Sequence, residues 1–192
     1  MPLPKFIIAS MQPLTKVKHR AAASGGAAPA SISQLNLNMQ HQQQTNWCWS
    51  AVSVSVKLFY THGFAITQCD QANRQLTQTT CCANGSSNVC NVTWFLDRAL
   101  TGLGNLAAFN GGTTPFANVV TQIGASRPLG CRIGWQGGGG HFVVIDGYTP
   151  GAANNVITVK DPIYGTSVIP YQTFATAYQG SGSWTHSYLT KP

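Results

Sequence analysis

The sequence predicts an α+β fold in which helices come first along the chain and an antiparallel sheet follows. Before about residue 127, apolar residues lie at helical spacing or in long runs of small and apolar residues. After that point, short β-rich runs are separated by Gly, Pro and Asn, which is typical of strands joined by turns. The 192 residues suffice for one domain with a full core. Because helices and strands are segregated, the order indicates α+β rather than a parallel α/β fold.

Four helices are predicted in the first part of the chain. The run over 46–60 alternates like a strand at several positions, but its length and its Thr/Asn start favour a buried helix. Cys48 is placed in the first turn of this helix, and Gly63 is expected to end it. Thr114 is expected to cap another helix, with Pro115 as its first residue. The three further helices are predicted over 68–79, 93–102 and 115–123.

Five strands are predicted in the second part of the chain, because short β-rich runs recur there between turn residues. The runs over 141–148 and 155–160 are expected to be hairpin neighbours, since only a short connection joins them. The predicted strands lie over 129–135, 141–148, 155–160, 166–169 and 185–189.

The low charge content excludes some functions and disfavours others. Charged residues make up 8% of the chain, and the four acidic residues are all Asp. A metal site built on several carboxylates has almost nothing to draw on, and a glycosidase would need two of these four residues. Four of the eleven basic residues lie in the first 40 residues, and the others are scattered. Nucleic-acid-binding proteins usually cluster their Lys and Arg residues on one face. Because the basic residues here are scattered, no nucleic-acid partner is predicted.

Residues 1–35 are predicted to be a disordered basic tail, leader or pro-segment, and residues 36–192 to form the folded domain. The stretch over 21–30 has the small-residue composition of a linker, and the apolar stretch over 6–9 is too short for a signal peptide. No run of about 18 apolar residues is present, so no membrane span is expected. A monomer is the default expectation.

Four of the six cysteines lie within 22 residues, namely Cys69, Cys81, Cys82 and Cys90. Their spacing differs from paired CxxC motifs, so two disulfides are favoured over a zinc site. A vicinal bond between Cys81 and Cys82 would be strained, which leaves the two other connectivities open. Disulfides indicate an oxidising compartment, so the protein is expected to be secreted or exported, without a clear signal peptide.

The two remaining cysteines, Cys48 and Cys131, either pair with each other or leave at least one free thiol for chemistry. Cys48 lies at a predicted helix N-terminus, where the helix dipole and unpaired N–H groups favour a thiolate. His141 follows four glycines and opens one predicted strand, and Asp161 ends the neighbouring strand. Such a pair of strands can hold the acid against the Nδ1–H of the imidazole, with Nε2 facing the thiol. These are the nucleophile, base and orienting acid of covalent catalysis.

Each of these three residues also has an ordinary structural explanation. A lone Cys in an apolar helix is usually a small buried side chain, and an Asp before Pro is usually a turn residue. A His beside apolar strand residues is usually a core or surface residue. Asp146 competes with Asp161, but strand alternation turns its side chain away from His141, toward solvent or a base.

Gln42 is a candidate donor to an oxyanion, because it lies six residues before Cys48 and carries an amide. The backbone N–H of Cys48 would be the second donor. Gln43 and Gln44 are neighbouring candidates, so the sequence does not single out one glutamine.

Three segments resemble papain-like cysteine peptidases. Residues 42–52, QQQTNWCWSAV, resemble the nucleophile segment, including the Cys-Trp pair and the Gln six residues upstream. The segments GHFVVIDGY at 140–148 and KDPIYG at 160–165 resemble the His and Asp-Pro segments of a bacterial subgroup. That subgroup includes the AvrRpt2-like effector proteases and the C39-like peptidases. The resemblance covers about 41–170, and it implies a helical lobe with the Cys, a β-sheet lobe with the His, and a cleft between them.

The resemblance implies a cysteine endopeptidase that acts on a protein or peptide substrate without a metal or cofactor. Cys48 would be the nucleophile, His141 the general base and acid, Asp161 the orienting residue and Gln42 an oxyanion donor. An exported bacterial effector or toxin is the expected role. The separation of 93 residues between Cys48 and His141 is shorter than the ~130 of plant-type papains, which implies short substrate-binding loops.

Two other functions stay open. Another thiol acyl-transfer enzyme, such as a deamidase, a transglutaminase-like enzyme or a cell-wall amidase, would share the thiolate without cleaving protein chains. A non-catalytic, disulfide-stapled binding module would have Cys48 either bonded to Cys131 or inert.

Overall fold

The computed structural model describes residues 33–62, 66–151 and 153–192. Five helices and seven strands lie within these ranges. The helices are α1 (Cys48–Thr61), α2 (Gln68–Leu76), α3 (Leu96–Gly102), α4 (Phe116–Gly124) and α5 (Tyr171–Ala177). The strands are β1 (Ser33–Gln34), β2 (Leu106–Gly111), β3 (Leu129–Trp135), β4 (Gly140–Thr149), β5 (Val156–Asp161), β6 (Gly165–Pro170) and β7 (Gly182–Thr190).

All seven described strands belong to one antiparallel sheet, which confirms the predicted α+β class. The order along the sheet is β2-β7-β3-β4-β5-β6, and β1 pairs with the far end of β4. β4 and β5 are hairpin neighbours, as predicted, with Val144 paired to Lys160. The strand that carries His141 near its start therefore lies beside the strand that ends at Asp161.

The sheet has a core on each face, and β4 contributes to both. Phe142 and Val144 pack with the helical layer formed by α1, α2 and α3. Val143 and Ile145, the alternate residues, pack with α4 and α5 on the opposite face. Because both faces of β4 are covered, this strand reads as a continuous apolar run.

Helix α1 is buried on all sides over its first nine residues, Cys48 to Val56, which explains its strand-like sequence pattern. Small side chains such as Ser50, Ala51 and Ser53 are fully buried, so neighbouring elements approach the helix closely. The helix ends at Thr61, and the C-cap residue His62 has a left-handed backbone (φ 50°) and donates its N–H to the Leu58 carbonyl. Gly63, the predicted end, lies outside the described residues.

The other predicted helices and all five predicted strands are present, with small shifts at their ends. One detail was wrong: Thr114 does not cap α4, because Pro115 is the N-cap residue and no side chain caps the helix. Instead, the Thr114 carbonyl accepts a hydrogen bond from the Tyr171 hydroxyl at 2.7 Å.

Three elements have no predicted counterpart. β2 has the sequence LAAFNG, whose Ala, Asn and Gly have low β-propensity, and pairing with β7 holds it in the sheet. α5 is a seven-residue helix anchored by the buried Phe174. β1 falls within the segment predicted to be a tail, but Ser33 and Gln34 pair with β4. The rest of that segment, residues 1–32, lies outside the described residues.

Among the described helices, none combines the length and the apolar character that crossing a membrane requires.

Candidate active site

Cys48 is the first residue of α1 and is 9% exposed. Its own N–H lies among the first four N–H groups of the helix, which have no partner inside the helix. The residue before it, Trp47, is the N-cap and provides no side-chain hydrogen bond to cap the helix. The positive end of the helix dipole therefore acts on the Cys48 thiol.

Two tryptophans on either side of Cys48 fix its position against a neighbouring segment. The Trp47 indole donates to the Cys90 carbonyl at 2.7 Å, and the Trp49 indole donates to the Val92 carbonyl at 3.1 Å. Both indoles are buried, so losing either hydrogen bond would leave a buried polar group unpaired. The start of α1 is thereby tied to residues 90–92.

A second set of hydrogen bonds joins the loop before Cys48 to the same segment. The backbone N–H of Asn46 donates to Asn91 Oδ1 at 2.9 Å, and Asn46 Nδ2 donates to the Asn91 carbonyl at 2.8 Å. Asn91 Nδ2 donates in turn to Thr45 Oγ1 at 2.8 Å. These contacts place the loop over 45–47 relative to residues 90–92.

The segment that receives these hydrogen bonds is held by two disulfides. Cys69 is bonded to Cys82, and Cys81 is bonded to Cys90. The adjacent cysteines therefore pair outward, as predicted, and the structure selects one of the two connectivities left open. The Cys81–Cys90 bond closes the loop that leads to this segment, and the Cys69–Cys82 bond connects that loop to α2. The disulfides thus support the position of the loop before Cys48.

Cys48 and Cys131 are both free thiols in the structure. Of the two alternatives left open by the sequence, a bond between them or at least one free thiol, the structure shows the second. Cys131 is fully buried in β3 within the core on the α4 side of the sheet, whereas Cys48 belongs to the core on the helical side. Burial raises the pKa of the Cys131 thiol well above its usual value, so Cys131 is a poor nucleophile.

His141 and Asp161 form a buried pair on the neighbouring strands β4 and β5. His141 Nε2 lies 2.9 Å from Asp161 Oδ1, and the side chains are 6% and 0% exposed. The prediction that the acid contacts Nδ1 is wrong. Because Lys160 pairs with Val144, Asp161 lies one residue further toward the end of the hairpin that carries His141. At that position the carboxylate contacts Nε2, the ring nitrogen farther from the backbone. Nδ1 is left for Cys48.

His141 and Asp161 each offset the effect of burial on the pKa of the other, so both groups keep their charges. Burial acts to lower the pKa of His141, but hydrogen bonds to Asp161 and Cys48 and their charges raise it to about 9. Burial acts to raise the pKa of Asp161, but the His141 hydrogen bond and charge, with two backbone N–H groups, lower it. An imidazolium beside the Asp161 carboxylate is therefore the favoured form near neutral pH.

Gln42 is placed differently from the prediction. Its Nε2 donates to the carbonyls of Gln44 at 2.9 Å and Thr45 at 2.8 Å. Because both partners are acceptors, they require the amide N–H groups, and neither hydrogen is then free for an oxyanion. In this arrangement Gln42 stabilises the turn before Cys48. The Gln43 backbone N–H donates to Gln68 Oε1.

Asp146, the competing acid, is fully buried on β4 but does not contact His141. Its nearest cation is Lys160, whose Nζ lies 3.7 Å from Oδ2. This agrees with the prediction that Asp146 faces away from His141 and pairs with a base.

A cleft of about 830 Å³ contains both Cys48 and His141. Its walls come from the helical side and from the sheet, and aromatic rings dominate them. Besides His141, the charged side chains in the wall are Asp97 and Arg132. The aromatic residues that line it are Trp49, Trp94, Phe95, Phe109, Trp135, Phe142, Tyr164 and Tyr188.

Two residues beside the His141–Asp161 pair had no signal in the sequence. Trp135 stacks on the His141 ring at a centroid distance of 6.2 Å, and the Tyr178 hydroxyl donates to Asp161 Oδ2 at 2.8 Å. Tyr178 follows a short unpredicted helix and lies 17 residues beyond Asp161, so only the folded chain brings the two together.

Metal-ligand chemistry gathers at one place in the described part of the chain, where Cys69, Asp70 and Cys82 lie close together. Both sulfurs are joined in the disulfide, so they cannot act as thiolate ligands. Asp70 has another role there, because it forms a capping box with Thr67 at the start of α2.

The fold and the pairing of a helix-terminal Cys with a strand His define the class: the chain is a papain-like cysteine protease. More particularly, it belongs to the family described as the papain-like cysteine protease AvrRpt2, whose family model matches residues 31–178. This confirms the resemblance stated from the sequence. No protein with a curated description matches the chain.

Solved structures of papain-like proteins share the fold at low sequence identity. The structure of digestive procathepsin L 3 from the larval midgut of Tenebrio molitor has a TM-score of 0.54 and 12% identity. The match covers 88% of this chain and 72% of that chain. A structure reported for the mite allergens Blo t 1 and Der p 1 has a TM-score of 0.53 and 10% identity. That match covers 86% of this chain and 72% of that chain. At these identities the likeness concerns the fold.

Proposed function

We propose that the protein is a cysteine endopeptidase in which Cys48 is the nucleophile, His141 the general base and acid, and Asp161 the residue that orients His141. The observation that carries this proposal is the buried 2.9 Å hydrogen bond between His141 and Asp161, with Cys48 at the start of α1 in the wall of the same cleft as His141. The volume of this cleft, about 830 Å³, supports the binding of a peptide segment beside Cys48 and His141. Cys48, His141 and Asp161 would thus be the nucleophile, the base and the orienting group that covalent catalysis requires.

In the proposed reaction, His141 takes the Cys48 proton, so that a thiolate faces an imidazolium. The thiolate sulfur forms a bond to the carbonyl carbon of the peptide, and the carbonyl oxygen takes the negative charge. When the carbon–nitrogen bond breaks, His141 gives its proton to the leaving amine. Water, deprotonated by His141, then releases the acid product and restores the thiol.

The backbone N–H of Cys48 supports the oxyanion, because it is unpaired within the helix and lies beside the sulfur. Gln42 supplies a second donor only after one of its amide hydrogens leaves the Gln44 or Thr45 carbonyl. A Gln42→Ala variant tests this role. We expect a fall of about 10²-fold in kcat if Gln42 binds the oxyanion, and a loss of thermal stability without that fall if it only stabilises the turn.

The cleft lining supports a substrate with large apolar side chains. Phe95 and Phe109 are 56% and 46% exposed, and both lie in the cleft wall. Apolar side chains of a bound peptide would bury the surface of these large rings, which favours binding. Phe109→Ala is therefore expected to raise KM for such peptides by about tenfold while leaving kcat nearly unchanged.

The two disulfides support a location outside the reducing cytosol, and we propose that the protein is secreted or exported. Membership of a family described by AvrRpt2 supports the role of an exported effector or toxin. The substrate of such a role would be a protein.

The decisive experiment combines thiol labelling with peptide cleavage. Iodoacetamide labelling across about pH 4 to 9 should modify Cys48 well below the ordinary thiol pKa, and His141→Ala should abolish this low-pH labelling. Cys48→Ala should abolish cleavage of a peptide library. Cys131→Ala is the matched control, since it removes the other free thiol, and it should keep the cleavage pattern.

The outcomes separate the candidate functions. Low-pH labelling together with cleavage supports the peptidase, and labelling without cleavage supports another acyl-transfer reaction at the same thiol. If Cys48 reacts only near the ordinary thiol pKa and no peptide is cleaved, the catalytic proposal is wrong.

A further inference from the structure

The two oxygens of the Asp161 carboxylate have different partners. Oδ1 accepts from His141 Nε2 at 2.9 Å, from the Ile163 backbone N–H at 2.7 Å and from the Tyr164 backbone N–H at 3.0 Å. Among the described residues, Oδ2 has one donor, the Tyr178 hydroxyl at 2.8 Å. A single side chain therefore determines the environment of the second oxygen.

Tyr178 is itself held in place from several directions. Its backbone N–H donates to the Gly182 carbonyl at 2.7 Å, and its carbonyl accepts from the Gly182 N–H at 2.8 Å. The side chain is 1% exposed, and its ring packs against Phe174 at a centroid distance of 5.3 Å. The hydroxyl is thus fixed at its site, and ordering it on each catalytic cycle is unnecessary.

We propose that Tyr178 is a positioning residue of the active site, which holds the Asp161 carboxylate in the orientation that presents Oδ1 to His141. The inference rests on the proposed function of His141 and Asp161. Tyr178 does not touch the reacting atoms. It acts through Asp161, as the counterpart of the two backbone donors on the other oxygen.

The physical reason lies in the rotation of the carboxylate about its bond to Cβ. Hydrogen bonds at Oδ1 alone restrain one end of the group, whereas a donor at Oδ2 restrains the other end. The Trp135 ring lies against both partners, 6.2 Å from His141 and 6.5 Å from Tyr178 between centroids. The imidazole, the carboxylate and the phenol therefore form one packed unit, in which a shift of one moves the others.

The titratable groups that face Asp161 are His141 from β4 and Tyr178 after α5, and Cys48 on α1 faces His141 in turn. Burial and the Asp161 charge raise the pKa of Tyr178, so its hydroxyl stays a donor throughout the working range. A hydrogen bond to the ionised carboxylate lowers the pKa of that carboxylate. Removing the hydroxyl therefore raises the pKa of Asp161.

The test removes this hydroxyl and follows the pH dependence. For Tyr178→Phe we expect kcat for peptide cleavage to fall by about tenfold with KM unchanged. The pH of half-maximal Cys48 alkylation should rise by about half a unit to one unit. The reason is that Asp161, with its raised pKa, becomes protonated at a higher pH and then no longer stabilises the His141 imidazolium. Tyr171→Phe is the matched control, since it removes a hydroxyl that binds the Thr114 carbonyl. It should leave both quantities unchanged.

A second variant protects the test against loss of folding. Replacing Tyr178 by 3-fluorotyrosine keeps the ring and makes the hydroxyl a stronger donor, so the half-maximal pH of alkylation should move downward. A packing role for the ring would give no shift, because the fluorine changes the shape very little.

The results distinguish this proposal from the proposed function. Equal pH profiles for wild type, Tyr178→Phe and the fluorinated variant overturn the positioning role, even when cleavage is normal. If the wild type cleaves no peptide, the alkylation profiles still report whether Tyr178 acts on the His141–Asp161 pair.

Discussion

Two buried aspartates lie on neighbouring strands, and their surroundings could hardly differ more. Asp161 is 2% exposed and accepts four hydrogen bonds, one from His141, one from Tyr178 and two from the backbone. Asp146 is fully buried, and neither of its oxygens has a hydrogen-bond partner among the described residues. Lys160, at 3.7 Å, is its nearest cation.

The pKa values of the two carboxyls move in opposite directions for this reason. Burial raises the pKa of Asp146 to about 6, and the Lys160 charge offsets only part of the effect. Burial acts the same way on Asp161, but its donors outweigh it and lower the pKa. Burial alone therefore does not mark a functional acid, because the donors aimed at the carboxylate decide whether it stays ionised.

The largest expected difference concerns activity. Asp161→Ala should reduce kcat by about 10³-fold, because His141 loses both its orientation and its counter-charge. Asp146→Ala should leave kcat within about twofold, since its carboxylate does not contact His141. Steady-state cleavage of one peptide by both variants measures this difference. Comparable losses in the two would show that the comparison is wrong.

Asp161→Asn should have a smaller effect, about tenfold in kcat. The amide oxygen can still accept from His141 and from the Ile163 and Tyr164 N–H groups, and Tyr178 can accept from the amide nitrogen. The loss then reflects the missing charge. The pH profile of kcat/KM should show it as a narrower active range on the alkaline side, because the imidazolium is less stabilised. An Asn variant as inactive as the Ala variant would contradict this account.

Asp146→Asn, the corresponding substitution at the other buried aspartate, should stabilise the protein. The folded-state pKa of Asp146 is raised to about 6, so its contribution is fully present below the unfolded value and is lost as pH rises through about 6. Asp146→Asn removes this loss. We expect a gain of about 1–2 kcal/mol in the free energy of unfolding above pH 7 and almost none near pH 4.

Asp161 should show the opposite sign in the same denaturation experiments. Its pKa is lowered, so its contribution is present above the unfolded value and is lost as pH falls through the folded value. Asp161→Asn should therefore destabilise the protein at neutral pH and lose that effect in acid. A stabilising Asp161→Asn variant would overturn the interpretation of its donors.

The smallest expected effect concerns Lys160, the partial counter-charge of Asp146. Lys160→Gln should lower the free energy of unfolding by about 0.5–1 kcal/mol at pH 7, because it leaves a buried carboxylate without its nearest cation. In the Asp146→Asn background the same change should have almost no effect. Urea denaturation of the four variants forms a double-mutant cycle, and equal effects in both backgrounds would exclude the coupling.

The sequence predicted the architecture because its signals are local. Periodicity, turn residues and the segregation of helices from strands do not depend on distant contacts, and they predicted α1 to α4 and the strands from β3 onward. The elements without such signals were missed. β1, β2 and α5 are short, and pairing or one buried ring holds each in place.

The candidate site divides in the same way. The candidate groups could be predicted from the sequence alone, because a Cys at a helix start, a His at the start of a strand and an Asp at the end of the next strand are recognisable from residue types and spacing. Three details depend on packing: which imidazole nitrogen contacts the acid, which carbonyls accept from the Gln42 amide, and how the four clustered cysteines pair. Packing also brings Tyr178 into contact with Asp161. A hydrogen bond forms only when the donor–acceptor distance is correct to within a few tenths of an ångström. Between segments far apart in the chain, only packing determines distances to that accuracy.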